Sequence, residues 1–224
     1  ELELNENRIS FIEPRSFVDC IKLKILKIVR NNIKSLTTDM FIGLKMVRDL
    51  NLDENIIKQV DKNIFKHLPN IRKLSVRYNF IEVISESSLA ELNLIQDIKL
   101  SYQRILSLKP HSFKNMKSLK SISLEGNDLN YIQNETFVNL SSLATITIFN
   151  NKIEKIDINA FVNLPKINLI DFRNNRLRFL ENSFLLQFKN VKNLSISDNL
   201  LTILKSNTFY GLILLLEINL SENK

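Results

Sequence analysis

The chain predicts a repeat solenoid of α/β type, with a parallel sheet on a concave side and an irregular or short-helical convex side. Three observations predict it. An amide residue returns every 24 residues through the whole chain: Asn7, Asn31, Asn55, Asn79, Gln103, Asn127, Asn151, Asn175, Asn199 and Asn223. Apolar residues keep fixed distances from it, five and three before and two after, as in Ile122, Leu124 and Leu129 around Asn127. Finally, a stretch such as LKSISLEGNDLNYIQNETFVNL, residues 119–140, fits neither a helical period nor a strand period over its length. A fixed period of this size means stacked coils, each passing the core at set points.

Each position has a physical reason. The L-x-L pair alternates with period two, so it forms a short strand with both side chains pointing inward. After the strand the chain turns away, leaving backbone N–H and C=O groups inside that need partners. An Asn side chain both donates and accepts, so a column of them can serve every coil. Gln103 is one methylene longer, and a local irregularity is expected there. Ten residues after the amide comes a bulky column, Phe17, Phe41, Phe65, Leu89, Phe113, Phe137, Phe161, Leu185 and Phe209, which fills the wider convex side. Cys20 stands in a column otherwise held by residues such as Leu44, Leu68 and Leu140 and reads as a small buried hydrophobe.

The unit, L-x-x-L-x-L-x-x-N-x-I-x-x-I-x-x-x-x-F-x-x-L-x-x, resembles the leucine-rich repeat family over residues 1–224, as an array of about ten units. Its length and its Phe are similar to the class found in Toll-type receptor ectodomains, chaoptin-like adhesion proteins and Slit-like guidance proteins. The resemblance implies a curved horseshoe and a non-enzymatic protein-binding module in an extracellular or cell-surface receptor. It also admits a secreted matrix or adhesion protein, or an intracellular repeat scaffold. The first strand begins at once and the chain stops one residue past a ladder Asn. Without the Cys-rich caps of extracellular relatives, an uncapped fragment of a longer array is expected.

Composition excludes several chemistries. With 44% hydrophobic and 25% charged residues the chain has ample material for a core. A single cysteine cannot form an intrachain disulfide. Two histidines that do not align, His67 and His111, leave no zinc cluster of ordinary type. Three glycines give no phosphate-cradling loop, and no nucleophile elbow or catalytic pair is present. No cofactor, metal or catalytic residue is expected. The carboxylates Asp53 and Glu54 read as solvated strand decoration.

The strand positions that point outward carry the expected contact surface. In the columns six, four, two and one before each amide, 12 acids face 6 bases, although the whole chain carries +7. The basic excess therefore lies on the lateral rims and the convex side. That argues against nucleic acid along the concave face, since phosphates need a positive track. It leaves a polyanionic glycan as a second candidate for the rim, against plain solubility as the ordinary reading. A protein ligand or co-receptor is the first partner expected, and membrane attachment would come only through segments outside this chain. Tyr and Arg are the usual interface anchors. The candidate contact residues are accordingly Arg30, Arg77, Tyr78, Lys99, Tyr102 and Arg104, with Phe149 and Arg173 as a second group. Sequons at Asn134, Asn139, Asn193 and Asn219 are candidate glycosylation sites, about as many as chance supplies in a chain this rich in Asn and Ser.

Overall fold

A computed structural model describes residues 1–180 and 184–224. Ten short strands, from Leu2–Glu3 and Ile25–Lys27 through Asp97–Lys99 to Glu217–Asn219, pair in sequence order into one parallel sheet. Every strand meets its neighbour in the register that the 24-residue period requires: Leu26 with Leu50, Leu74 with Ile98, Ile146 with Ile170. The central residue of each inner strand is buried and its two neighbours are more exposed, as period two demands.

The amide column knits each coil to the one before it. Asn55 Oδ1 accepts from the Ile33 N–H (3.1 Å), and its Nδ2 donates to the Ile28 and Leu52 carbonyls (2.7 and 3.1 Å). Asn127 repeats this with Ile105, Leu100 and Leu124. The irregularity expected at Gln103 is confined to its own amide. Oε1 still accepts from Ile81 and Nε2 still reaches the Val76 carbonyl of the preceding coil. Its Nε2 makes no bond to the carbonyls two and three residues back, where Asn79 bonds both.

One rule of the coil is absent from the sequence reading. All ten residues that precede the amide, Glu6 through Glu222, have left-handed backbone, φ 49–69°. The chain turns out of the sheet at this residue while its N–H stays in the ladder, as Tyr102 N–H does on the Glu125 carbonyl (2.8 Å). Gly, Asn and Asp tolerate this region best, and Gly126, Asn150, Asn174 and Asp198 occupy it in the later coils.

Opposite the sheet, the described residues contain no α-helix. Two 3-10 segments, Thr38–Phe41 and Phe184–Phe188, and three pairs of two-residue strands make that side. The core is continuous from Ile12 to Leu212. Phe113, Phe137 and Phe161 stack through it with ring centres 5.2 and 4.9 Å apart. Phe209 differs from the rest of its column in being 39% exposed. Cys20 is half-buried rather than buried, packing against the core cluster from outside it. No helix of the described residues is long and apolar enough to cross a membrane.

Candidate functional site: an aromatic corner on the sheet

At the C-terminal end of the fourth and fifth strands the chain turns on Tyr78 and Tyr102, both in left-handed backbone. Register places them one coil apart, and their rings stack face to face with centroids 4.7 Å apart and planes within 1°. The next residue in the column is Gly126, where a Cβ would stand 2.5 Å from a carbon of the Tyr102 ring. Gly126 therefore meets two demands at once, the positive φ and the space for the ring. The two tyrosines are 46% and 39% exposed, so the stack is open to solvent.

The arginines around the stack are held in fixed positions. Asp53, expected to be solvated, is 1% exposed. Its carboxylate accepts from Ser75 Oγ (2.6 Å), from the Arg77 N–H (2.7 Å) and twice from the Arg77 guanidinium (2.9 and 2.8 Å). It lies in the same column as Arg77 on the adjacent strand, and the longer side chain folds back over it. Hydrogen bonding to Asp53 raises the Arg77 pKa above the ordinary guanidinium value. Arg77 lies 6.0 Å from the Tyr78 ring centre, and Arg104, exposed on the adjoining rim, covers Phe80 at 4.6 Å. Lys99 is exposed on the fifth strand.

Arg30 is taken up differently. It bridges Glu54 (2.8 Å) and Glu6 (2.9 Å) across three coils, and these bonds raise its pKa, Glu54 contributing most. The second group forms its own unit three to four coils further on. Asp171, buried like Asp53, accepts from Nε and Nη2 along one edge of the Arg173 guanidinium, and Arg173 covers the half-buried Phe149 at 5.2 Å. The structure thus joins Arg77, Tyr78 and Tyr102 by direct contacts, places Lys99 and Arg104 on the same coil as Tyr102, leaves Arg30 in an ion-pair ladder, and sets Phe149 with Arg173 apart. The outward columns are also less uniformly solvated than expected, since Ser101, Asp171 and Ser197 are buried under their neighbours.

Sequence reasoning missed the roles of Asp53 and Gly126. Signals for both were present: an acid one coil before an Arg in the same column, and a Gly one coil after a Tyr. Among the described residues no cluster of His, Cys, Asp or Glu could hold a metal. Of the sequons, Asn134 and Asn139 are exposed away from the sheet. Asn193 donates to Glu217 (3.0 Å) and Asn219 accepts from Ser221 (2.8 Å), both on the sheet face.

The decisive comparison is with sequence families. The leucine rich repeat pattern matches residues 1–57, 45–105 and 95–153, more than half of the chain. The chain belongs to the leucine-rich repeat family. No curated protein matches. Among solved structures, Drosophila Toll in complex with Spatzle is similar at TM-score 0.86 and 23% identity, covering 92% of this chain and 28% of Toll's. The leucine-rich repeat domain of APL1B is similar at TM-score 0.85 and 19% identity, covering 100% of this chain and 64% of that one. The LRIM1/APL1C complex matches at 0.83 and 19%, covering 99% and 39%. This repeat array thus spans between about a quarter and two thirds of the length of those chains. At these identities the likeness is one of fold.

Proposed function

We propose that this leucine-rich repeat array is a non-enzymatic protein-binding module from the ectodomain of an extracellular or cell-surface receptor, and that it engages a protein ligand or co-receptor through the corner of the sheet at Tyr78 and Tyr102. The observation that carries the reading is the exposed, stacked tyrosine pair on a rigid ladder, with a clamped arginine beside it. Aromatic and Arg side chains whose conformations are already fixed lose little entropy on binding and make the strongest anchors. Flexible surface residues give no such advantage. The similar structures, in which Toll is complexed with Spatzle and LRIM1 with APL1C, support a protein as the partner class. The single half-buried cysteine favours a second reading, an intracellular repeat scaffold.

The test places a photo-crosslinking amino acid at position 102 in the full protein, in the cells that make it, with position 162 on the opposite side as control. Val162 is exposed to a similar degree. A discrete protein adduct from position 102 and none from 162 is the expected result. Adducts from 162 alone, or none from 102, would overturn the reading.

A further inference from the structure

We propose that the partner presents an acidic segment to this corner, received by Lys99, Arg104 and the Arg77 guanidinium that buried Asp53 locks in place. The inference rests on the corner being the contact surface and adds the chemistry of what it contacts.

A count of charges points the other way, because acids outnumber bases two to one on the sheet face. Exposure differs from that count at the corner, where Lys73, Lys99 and Arg104 are exposed and most of the acids are not. Elsewhere on the face Lys27 is consumed by Glu1 and Glu3 and Arg30 by Glu6 and Glu54, while Arg173 on Asp171 repeats the Arg77–Asp53 clamp. At the corner the carboxylates other than Glu54, which is exposed and paired with Arg30, are the recessed groups. Asp53 is buried under Arg77. Asp49 is half-buried, as are Asp97, which accepts from Ser121 Oγ (2.6 Å), and Glu125, which accepts from Thr147 Oγ1 (2.9 Å).

Lys73, Lys99 and Arg104 stand exposed, and among the described residues none of them has a carboxylate within ion-pair distance. Lys73 is flanked in register by Asp49 and Asp97, so Lys99 and Arg104 carry the uncompensated charge. Arg104 packs over the Phe80 ring and Arg77 is fixed by Asp53, so two guanidiniums have partners that position them before any ligand arrives. An oriented guanidinium fork is the donor set that carboxylates fit best. Asp53 acts here as a positioning residue, and the exposed tyrosine pair supplies apolar contact beside Arg77.

The test uses a fluorescein-labelled glutamate-rich peptide carrying one aromatic residue, read by anisotropy at low and then rising salt. Wild-type protein should bind it, with affinity falling as salt screens the contact. Lys99→Glu with Arg104→Glu should weaken binding by about tenfold or more. Lys152→Glu, further along the same rim and already paired with Asp128, should leave it unchanged. Asp53→Asn should weaken binding, and Arg77→Ala added to it should cost nothing more, a coupling that a merely structural Asp53 would not show. Equal binding by wild type and the Lys99/Arg104 variant overturns the proposal. So does a heparin oligosaccharide that binds through these residues while the peptide does not. A crosslink at position 102 that survives both charge reversals would defeat the acidic segment and leave the contact surface standing. Loss of the crosslink in wild type would defeat the surface itself.

Discussion

At the scale of single residues, the amide column shows how one side chain type serves two tasks. It bonds the carbonyls of its own turn and those of the coil before, and its removal orphans groups of the coil before. Asn127→Ala strips the partner from the Ile105 N–H and the Leu100 carbonyl, while the Leu124 carbonyl keeps Asn151. Each buried group left unsatisfied costs about 1–3 kcal/mol. Gln103→Asn should act in the opposite direction, because the shorter amide can also reach the carbonyls two and three residues back as Asn79 does. Urea unfolding of the two variants checks this: the midpoint should fall for Asn127→Ala and hold or rise for Gln103→Asn. A lower midpoint for Gln103→Asn would mean that the longer amide fits its coil better than the ladder geometry suggests.

At the scale of the coil, what was legible in the sequence was what repeats. Strand, amide, Ile and Phe recur in every turn, so their columns could be read from spacing alone and the ten-stranded sheet followed. What was not legible depends on pairs of neighbouring coils. Asp53 is buried because Arg77 and Ser75 of the next coil fold over it. Tyr102 stands where it does because the next coil has Gly126 rather than a side chain. The left-handed turn before each amide also escaped notice, since Glu, Arg and Tyr occupy it as well as Gly, Asn and Asp. The Phe column makes the coil-scale prediction. Phe137 lies between Phe113 and Phe161 and is fully buried, so Phe137→Ala should cost about 3–5 kcal/mol. Phe209→Ala, at an exposed end of the same column, should cost far less. Similar losses for both, measured by chemical denaturation, would show that the column does not form one graded core.

At the scale of the whole molecule, the stack of coils is a rigid carrier, and its chemistry is confined to where neighbouring coils differ. The regular columns hold the molecule together. The departures from them, Tyr78 with Tyr102, the clamped Arg77, and Lys99 with Arg104, gather at one corner where the sheet ends and the chain turns outward. Since no group there contributes to the core, the corner should be separable from stability. The most direct measurement is the affinity of the Tyr78→Ala/Tyr102→Ala protein for the partner captured through position 102, taken beside its urea midpoint. The stack itself is worth about 0.5–1.5 kcal/mol, so the midpoint should move little. Two central aromatic anchors lost together should weaken binding by about a hundredfold or more. Affinity retained in this variant, or lost only in step with unfolding, would contradict the account.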